Sequence, residues 1–170
     1  MSPLHRIDDR SLLTSVINGD GIYLGPAAVL EGLTEEQACA KPHGLPHSIA
    51  DIVAHLCYWQ EWANRCAVDG FTAIAEHSVD GWPSVSPAGW NAWRQRYLGA
   101  VDEARRIVAE SDVLGEPLLP PGVQIPALAK ESRGSAMLSA AHHNSHHMGQ
   151  IVTLRRLIGL WPPPSGTITW

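Results

Sequence analysis

Residues 132–164 read SRGSAMLSAAHHNSHHMGQIVTLRRLIGLWPPP. Apolar residues return at helical spacing through Ala136, Ala140, Ile151, Leu154 and Ile158. The run predicts a helix from about Ser132 to Gly159 or Leu160. It ends where Trp161-Pro162-Pro163-Pro164 follows, because proline cannot continue a helix. Inside it His142, His143, His146 and His147 form two overlapping HxxxH pairs. Residues four apart lie on one helical face, so either pair is spaced to share one metal ion. The flanks separate the pairs. His143 and His147 lie in line with Ala136, Ala140, Ile151, Leu154 and Ile158, all apolar. His142 and His146 lie in line with Ser135, Ser139, Gly149 and Thr153. The first pair therefore faces inward, and the second faces the side of the helix or solvent.

Three further helices are expected upstream. Ser48 is placed as an N-cap, with Asp51 in the first turn, for a helix running to about Asp69 and stopped by Gly70. Its one-face positions are Ser48, Asp51, Ile52, His55, Trp59, Trp62 and Cys66. Ser86-Pro87 opens another helix, with Ser86 as N-cap, reaching about Glu110. It carries Trp90, Trp93, Tyr97, Val101, Ala104 and Val108 on one side. Near the N-terminus Leu12, Leu13 and Val16 suggest a short helix stopped by Asn18-Gly19-Asp20-Gly21. Residues 22–33 can form a modest helix. Thr34 and Gln37 have capping-box spacing for a short one that ends before Pro42 and Gly44. Residues 70–86 and the proline-bearing stretch 111–131 read as loops, and the tail SGTITW could be extended. No strand alternation stands out. The fold class is all-α, a four-helix bundle.

The chain has 170 residues, of which 45% are hydrophobic and 17% charged, with a formal charge of −5. One domain over residues 1–170 is the expectation. An acidic chain without a basic run is a poor partner for nucleic acid or an anionic membrane surface. No apolar run approaches the ~20 residues of a membrane span. Met1 to Arg10 lacks the apolar stretch of a secretory signal, so the cytoplasm is the expected location. Cys39, Cys57 and Cys66 are an odd number without a CxxC, and read as reduced core thiols.

Zinc or nickel wants at least three protein ligands, with a position left open for chemistry. Two inward histidines on one helix need a third from a facing helix. His55 is the one other histidine in a mid-helix position, on the apolar side of its own helix. His5, His43, His47 and His77 fall in loops or at helix starts. The candidate metal ligands are therefore His55, His143 and His147. A lone histidine on an apolar stripe is usually a satisfied core residue. Three together have few other ways to satisfy their ring nitrogens.

The upstream DIVAHLCYWQEW, the later HNSHHMGQIVTLRRLIGLW and the terminal WPPPSGTITW together resemble the DinB/YfiT-like superfamily of metalloenzymes over residues 22–170. The resemblance implies an up-down-down-up four-helix bundle holding one divalent metal ion, zinc or nickel, on His55, His143 and His147. It implies a small-molecule substrate and chemistry of the thiol-dependent transferase and isomerase type, with mycothiol, bacillithiol or glutathione as the low-molecular-weight thiol. Other members are described as metal-dependent hydrolases. A homodimer is implied too. Where the family commonly has Arg before Gly-Gln, this chain has Met148, and its first helix is short and glycine-rich.

Several neighbours of the triad carry two readings. Asp51, one turn before His55, is a candidate catalytic base or orienter of an imidazole, or simply a first-turn acid favoured by the helix dipole. Asn144 and Gln150 can hydrogen-bond a ligand, or make ordinary interhelix contacts. Trp59 and Trp62 can wall a substrate pocket or fill core. Arg155 and Arg156 can steer an anion or complement a helix C-terminus. Cys66 lies too far along the helix to ligate with His55, and Cys57 faces elsewhere. Two functional classes follow. An open metal site makes a transferase or hydrolase. A site closed by His146 or Asp51 as fourth ligand makes a non-catalytic, stress-response metal-binding bundle.

Overall fold

The structure, a computed structural model, describes residues 9–20, 24–73 and 78–166. His5, His77 and the tail residues Thr167 to Trp170 lie outside the described residues. The helices are α1 (Asp9–Asn18), α2 (Pro26–Val29), α3 (Glu35–Cys39), α4 (Ile49–Asp69), α5 (Trp90–Glu110) and α6 (Arg133–Leu157). Among the described residues there is no strand, only one antiparallel bridge between Pro117 and Ser132. The chain is an all-helical bundle built on α1, α4, α5 and α6.

Caps explain where the site-bearing helices begin. Ser48 Oγ accepts from Asp51 N at 3.1 Å, and Asp51 Oδ2 accepts from Ser48 N at 3.0 Å. Ser132 and Ser135 repeat this reciprocal pair at the start of α6. Each box satisfies two backbone donors that a helix N-terminus otherwise leaves orphaned. α6 ends in the six-residue loop that a left-handed glycine permits. Gly159 has φ 73°, and Leu160 N donates to Arg155 O at 2.8 Å.

Side-chain contacts between helices give their directions. Arg96 pairs with Glu61, and Asn64 reaches Ala100, so α4 and α5 run parallel. Arg133 at the start of α6 donates to Val68 at the end of α4, while His143 meets His55, so α4 and α6 are antiparallel. Arg10 reaches Ala109 and Arg105 reaches Asn18, so α1 opposes α5. The order is up-down-down-up.

Two expected elements differ. The modest helix over 22–33 contracts, in its described part, to the single turn of α2. Gly32 turns the chain away at φ 72°, and a Cβ there would sit 2.7 Å from Pro164 Cγ. The helix expected from Pro87 begins as a 3-10 turn over Pro87–Gly89, and Ser86 makes no side-chain cap. Its α-helical part starts at Trp90.

α4 buries more than the expected stripe, of which Ser48, Ile52, His55 and Cys66 are buried. Ile49, Val53, Leu56, Cys57, Ala63 and Ala67 are all buried with the inner residues of α5, while Trp59 and Trp62 are only half-buried. A buried polar chain joins three helices at this level. Asn144 Nδ2 donates to Gln60 Oε1 at 2.7 Å, Gln60 Nε2 to Asn64 Oδ1 at 3.0 Å, and Asn64 Nδ2 to Ala100 O at 2.8 Å. The three cysteines are free, and Cys57 and Cys66 are buried. Burial first, then the Glu61 carboxylate, pushes the Cys57 thiol up to about 12, so it is an inert core group.

Arg155 does not face an anionic substrate. It is 2% exposed, donating to Val29 O and, at 3.0 Å, to Leu160 O. It ties α2 and the chain end to α6. Arg155→Ala leaves both carbonyls short of a donor and is expected to cost about 2–4 kcal/mol. Urea denaturation measures this, and metal content per folded chain should stay unchanged.

Candidate metal centre

His55, on α4, and His143 and His147, on α6, bring their Nε2 atoms together. His143 Nε2 lies 3.1 Å from His55 Nε2 and 3.1 Å from His147 Nε2. One ligand atom from each of the three lies within 4.8 Å of the others. His55 and His147 are buried and His143 is half-buried. His142 and His146 are exposed, as their polar flank predicts.

The distal nitrogens fix the tautomers. His55 Nδ1 lies 2.6 Å from Gly81 O, which can only accept, so Nδ1 carries the proton. His147 Nδ1 donates to Gln150 Oε1 at 2.6 Å, and Gln150 Nε2 donates to His146 Nε2 at 3.2 Å. Both rings therefore present an Nε2 lone pair to the common point. His143 Nδ1 is buried without a hydrogen-bond partner. Between three converging Nε2 atoms a proton can serve only one direction well. A cation serves all three.

Burial also keeps the rings neutral. It lowers the His55 pKa despite the opposing hydrogen bond to the Gly81 carbonyl. It lowers that of His147 despite Gln150. At His143 burial, followed by the neighbouring histidines, brings the pKa down to about 4. Neutral imidazole is the form that ligates a metal. The donor set fits a divalent transition ion such as zinc or nickel, since metal–nitrogen bonds of ~2.0–2.1 Å set ligand nitrogens a little over ~3 Å apart.

Aromatic rings surround the triad. Trp82 is sandwiched between His47 and His55, each 3.8 Å away between ring centroids and within 15° of parallel. Trp59 stands edge-on to His55 and His143, with centroids 6.4 Å apart in both pairs. On this side a pocket of about 470 Å³ is lined by His55, His143, Trp59, Trp62, Trp82 and the small residues Ser139 and Ala140. Trp59 and Trp62 are thus pocket walls. Trp62 Nε1 donates to Thr72 O at 3.1 Å.

Asp51 lies in the position of a first-turn acid. Its carboxylate accepts from Ser48 and pairs with Lys41 Nζ at 3.2 Å. Burial alone raises its pKa, but the Ser48 and Lys41 interactions outweigh this and the net shift is downward. The orienting role at His55 falls to the Gly81 carbonyl instead. Gly81 and Trp82 are the contributors that helical periodicity missed, because they sit in the connection after α4. Gly81 is close-packed there, since a Cβ would stand 3.1 Å from Trp59 Nε1. A Gly-Trp-Pro step inside a polar loop is the available signal, since a tryptophan seldom sits there without something to cover.

Gln150→Leu removes the acceptor of His147 Nδ1–H. Metal affinity is expected to fall about 10–100-fold, read by competition against a chromogenic chelator, with the fold retained. The lowered imidazole pKa values also fix a pH dependence. Folded metal-free protein binds fewer protons than the unfolded chain between the ordinary histidine pKa of 6.5 and about 4. Stability is therefore lost as pH falls through that window. Thermal melts of chelator-treated protein should show a smaller loss for His143→Gln than for the parent over the same pH steps.

A family model described as the DinB superfamily matches residues 27–151. A search of curated proteins and one of solved structures return no match. The match runs over most of the chain, covering α2 through α6 as far as Ile151, and takes in all three converging histidines. With its all-helical bundle and its three-histidine centre, this chain belongs to the DinB superfamily.

Proposed function

We propose that the chain is a metal-dependent enzyme of the thiol S-transferase or isomerase type, acting on a small molecule with a low-molecular-weight thiol. The observation that supports this most is the opening of His55 and His143 onto the tryptophan-walled pocket, which leaves room for a substrate beside the triad. When bound, a divalent ion supplies Lewis-acid charge that lowers the pKa of a thiol or water brought against it. Zinc and nickel are the ions of this proposal. His55, His143 and His147 hold the ion. Gly81 O and Gln150 Oε1 keep two of the rings in the ligating tautomer. Trp59, Trp62 and Trp82 exclude bulk water from one side. Asp51 has no part in the proposal, because Ser48 and Lys41 engage its carboxylate.

Hydrolysis is the second reading, since the same pocket accommodates water in place of a thiol. The non-catalytic reading needs a fourth protein ligand. Its two candidates are otherwise engaged, His146 with Gln150 and Asp51 with its cap. The family resemblance adds a homodimer to the proposal, which sedimentation of the loaded protein tests, and a cytoplasmic setting is proposed beside it. No helix among the described residues is long and apolar enough to cross a membrane.

The test begins with elemental analysis of the purified protein beside His55→Ala, His143→Ala and His147→Ala. The expected result is about one divalent ion per chain, lost in each variant. Loaded protein is then assayed with a chromogenic aromatic electrophile plus mycothiol, bacillithiol or glutathione. Turnover that needs both ion and thiol supports transfer. Ester cleavage without thiol favours hydrolysis. Absence of both, with an ion that only raises thermal stability, removes the enzyme reading.

A further inference from the structure

We infer that the pocket beside the triad takes a molecule whose body is flat, conjugated and uncharged. This rests on reading the pocket as the substrate side of the metal centre, and it adds the substrate class. Among the described residues, no acidic residue, lysine or arginine lines the pocket. Away from the ion, a charged body would leave water there without a side-chain counter-ion. By contrast, the pocket at the start of α6 has both Arg10 and Asp112 in its wall.

The wall is built for π contacts. Both faces of Trp82 are covered by His47 and His55, so only its edge remains for a ligand. Trp59 is edge-on to Trp62, with centroids 5.8 Å apart. Aromatic edges carry partial positive charge and attract the electron-rich face of another ring. The Trp62 indole N–H is already spent on Thr72 O, which withdraws one donor that a polar ligand would use. Across from the indoles, Ser139 and Ala140 keep the α6 wall low. A slot between tryptophans and a low helical wall suits a flat body better than a globular one. Three half-buried indoles gathered at one opening are also costly to leave against water. A planar apolar ligand covers them.

The test uses an isosteric pair, naphthalene-2-carboxamide and naphthalene-2-carboxylate, titrated calorimetrically into full-length protein. Metal is chelated first, so that the carboxylate cannot bind through the ion. The amide is expected to bind at least about tenfold tighter than the carboxylate, and about tenfold tighter than its fully saturated analogue. Ser139→Phe fills the slot from an exposed position and should abolish binding. Equal or tighter binding of the carboxylate overturns the inference. So does equal binding of the saturated analogue, binding that survives Ser139→Phe, or no binding of the amide. A failed metal reading appears separately, as a chain without an ion in elemental analysis and with these affinities intact.

Discussion

The constraint on which the rest depends is that three neutral imidazole nitrogens must meet at one point from two antiparallel helices. Lone pairs repel, and no arrangement of protons satisfies three of them together. The meeting of His55 with His143 and His147 therefore has to be held by other parts of the fold. The antiparallel pairing of α4 with α6 sets the level, since His55 faces His143 where Arg133 reaches Val68 at the other end. A helix turn is ~5.4 Å, so a slip of one turn would part the nitrogens altogether.

Polar groups buried around the site hold that register. The Asn144–Gln60–Asn64 chain crosses from α6 through α4 to the backbone of α5, and it can be satisfied only at one axial setting. Apolar side chains tolerate sliding by contrast, because dispersion contacts have little direction. Arg155 fixes the opposite end of α6 to α2 and the chain end in the same way. The Ser48 and Ser132 boxes fix where the two ligand-bearing helices begin. Met148 is fully buried in this packing. The residue is thus part of the core.

The centre is asymmetric. One flank is hydrogen-bonded, through Gln150 to His146. The other opens on indoles, small residues and a half-buried ligand ring. The polar flank orients ligands and the aromatic flank receives a guest. The connection after α4 links the two, because adjacent residues supply the Gly81 carbonyl to His55 Nδ1 and the Trp82 ring to its face.

Much of this was legible in the residues. The inward direction of His143 and His147 followed from the apolar company of Ala136, Ala140, Ile151 and Leu154, since a helix repeats its faces every 3.6 residues. The helix limits followed from Ser48, Gly70, Ser132 and Gly159, whose chemistry acts within one turn. Local periodicity could not rank the faces of α4. Of the expected stripe Ile52, His55 and Cys66 are buried but Trp59 and Trp62 only half so, and Ile49, Val53, Leu56 and Ala63 join the core from beside it. It could not separate Asp51 the cap from Asp51 the base either, because both lie one turn before His55. The sequence by itself determined the helices, their ends and the histidines with a common face, all set by contacts a few residues apart. Only the tertiary structure decided that Gly81 and Trp82 serve those histidines and that Arg155 is buried. Those contacts join residues that only the folded chain brings within reach.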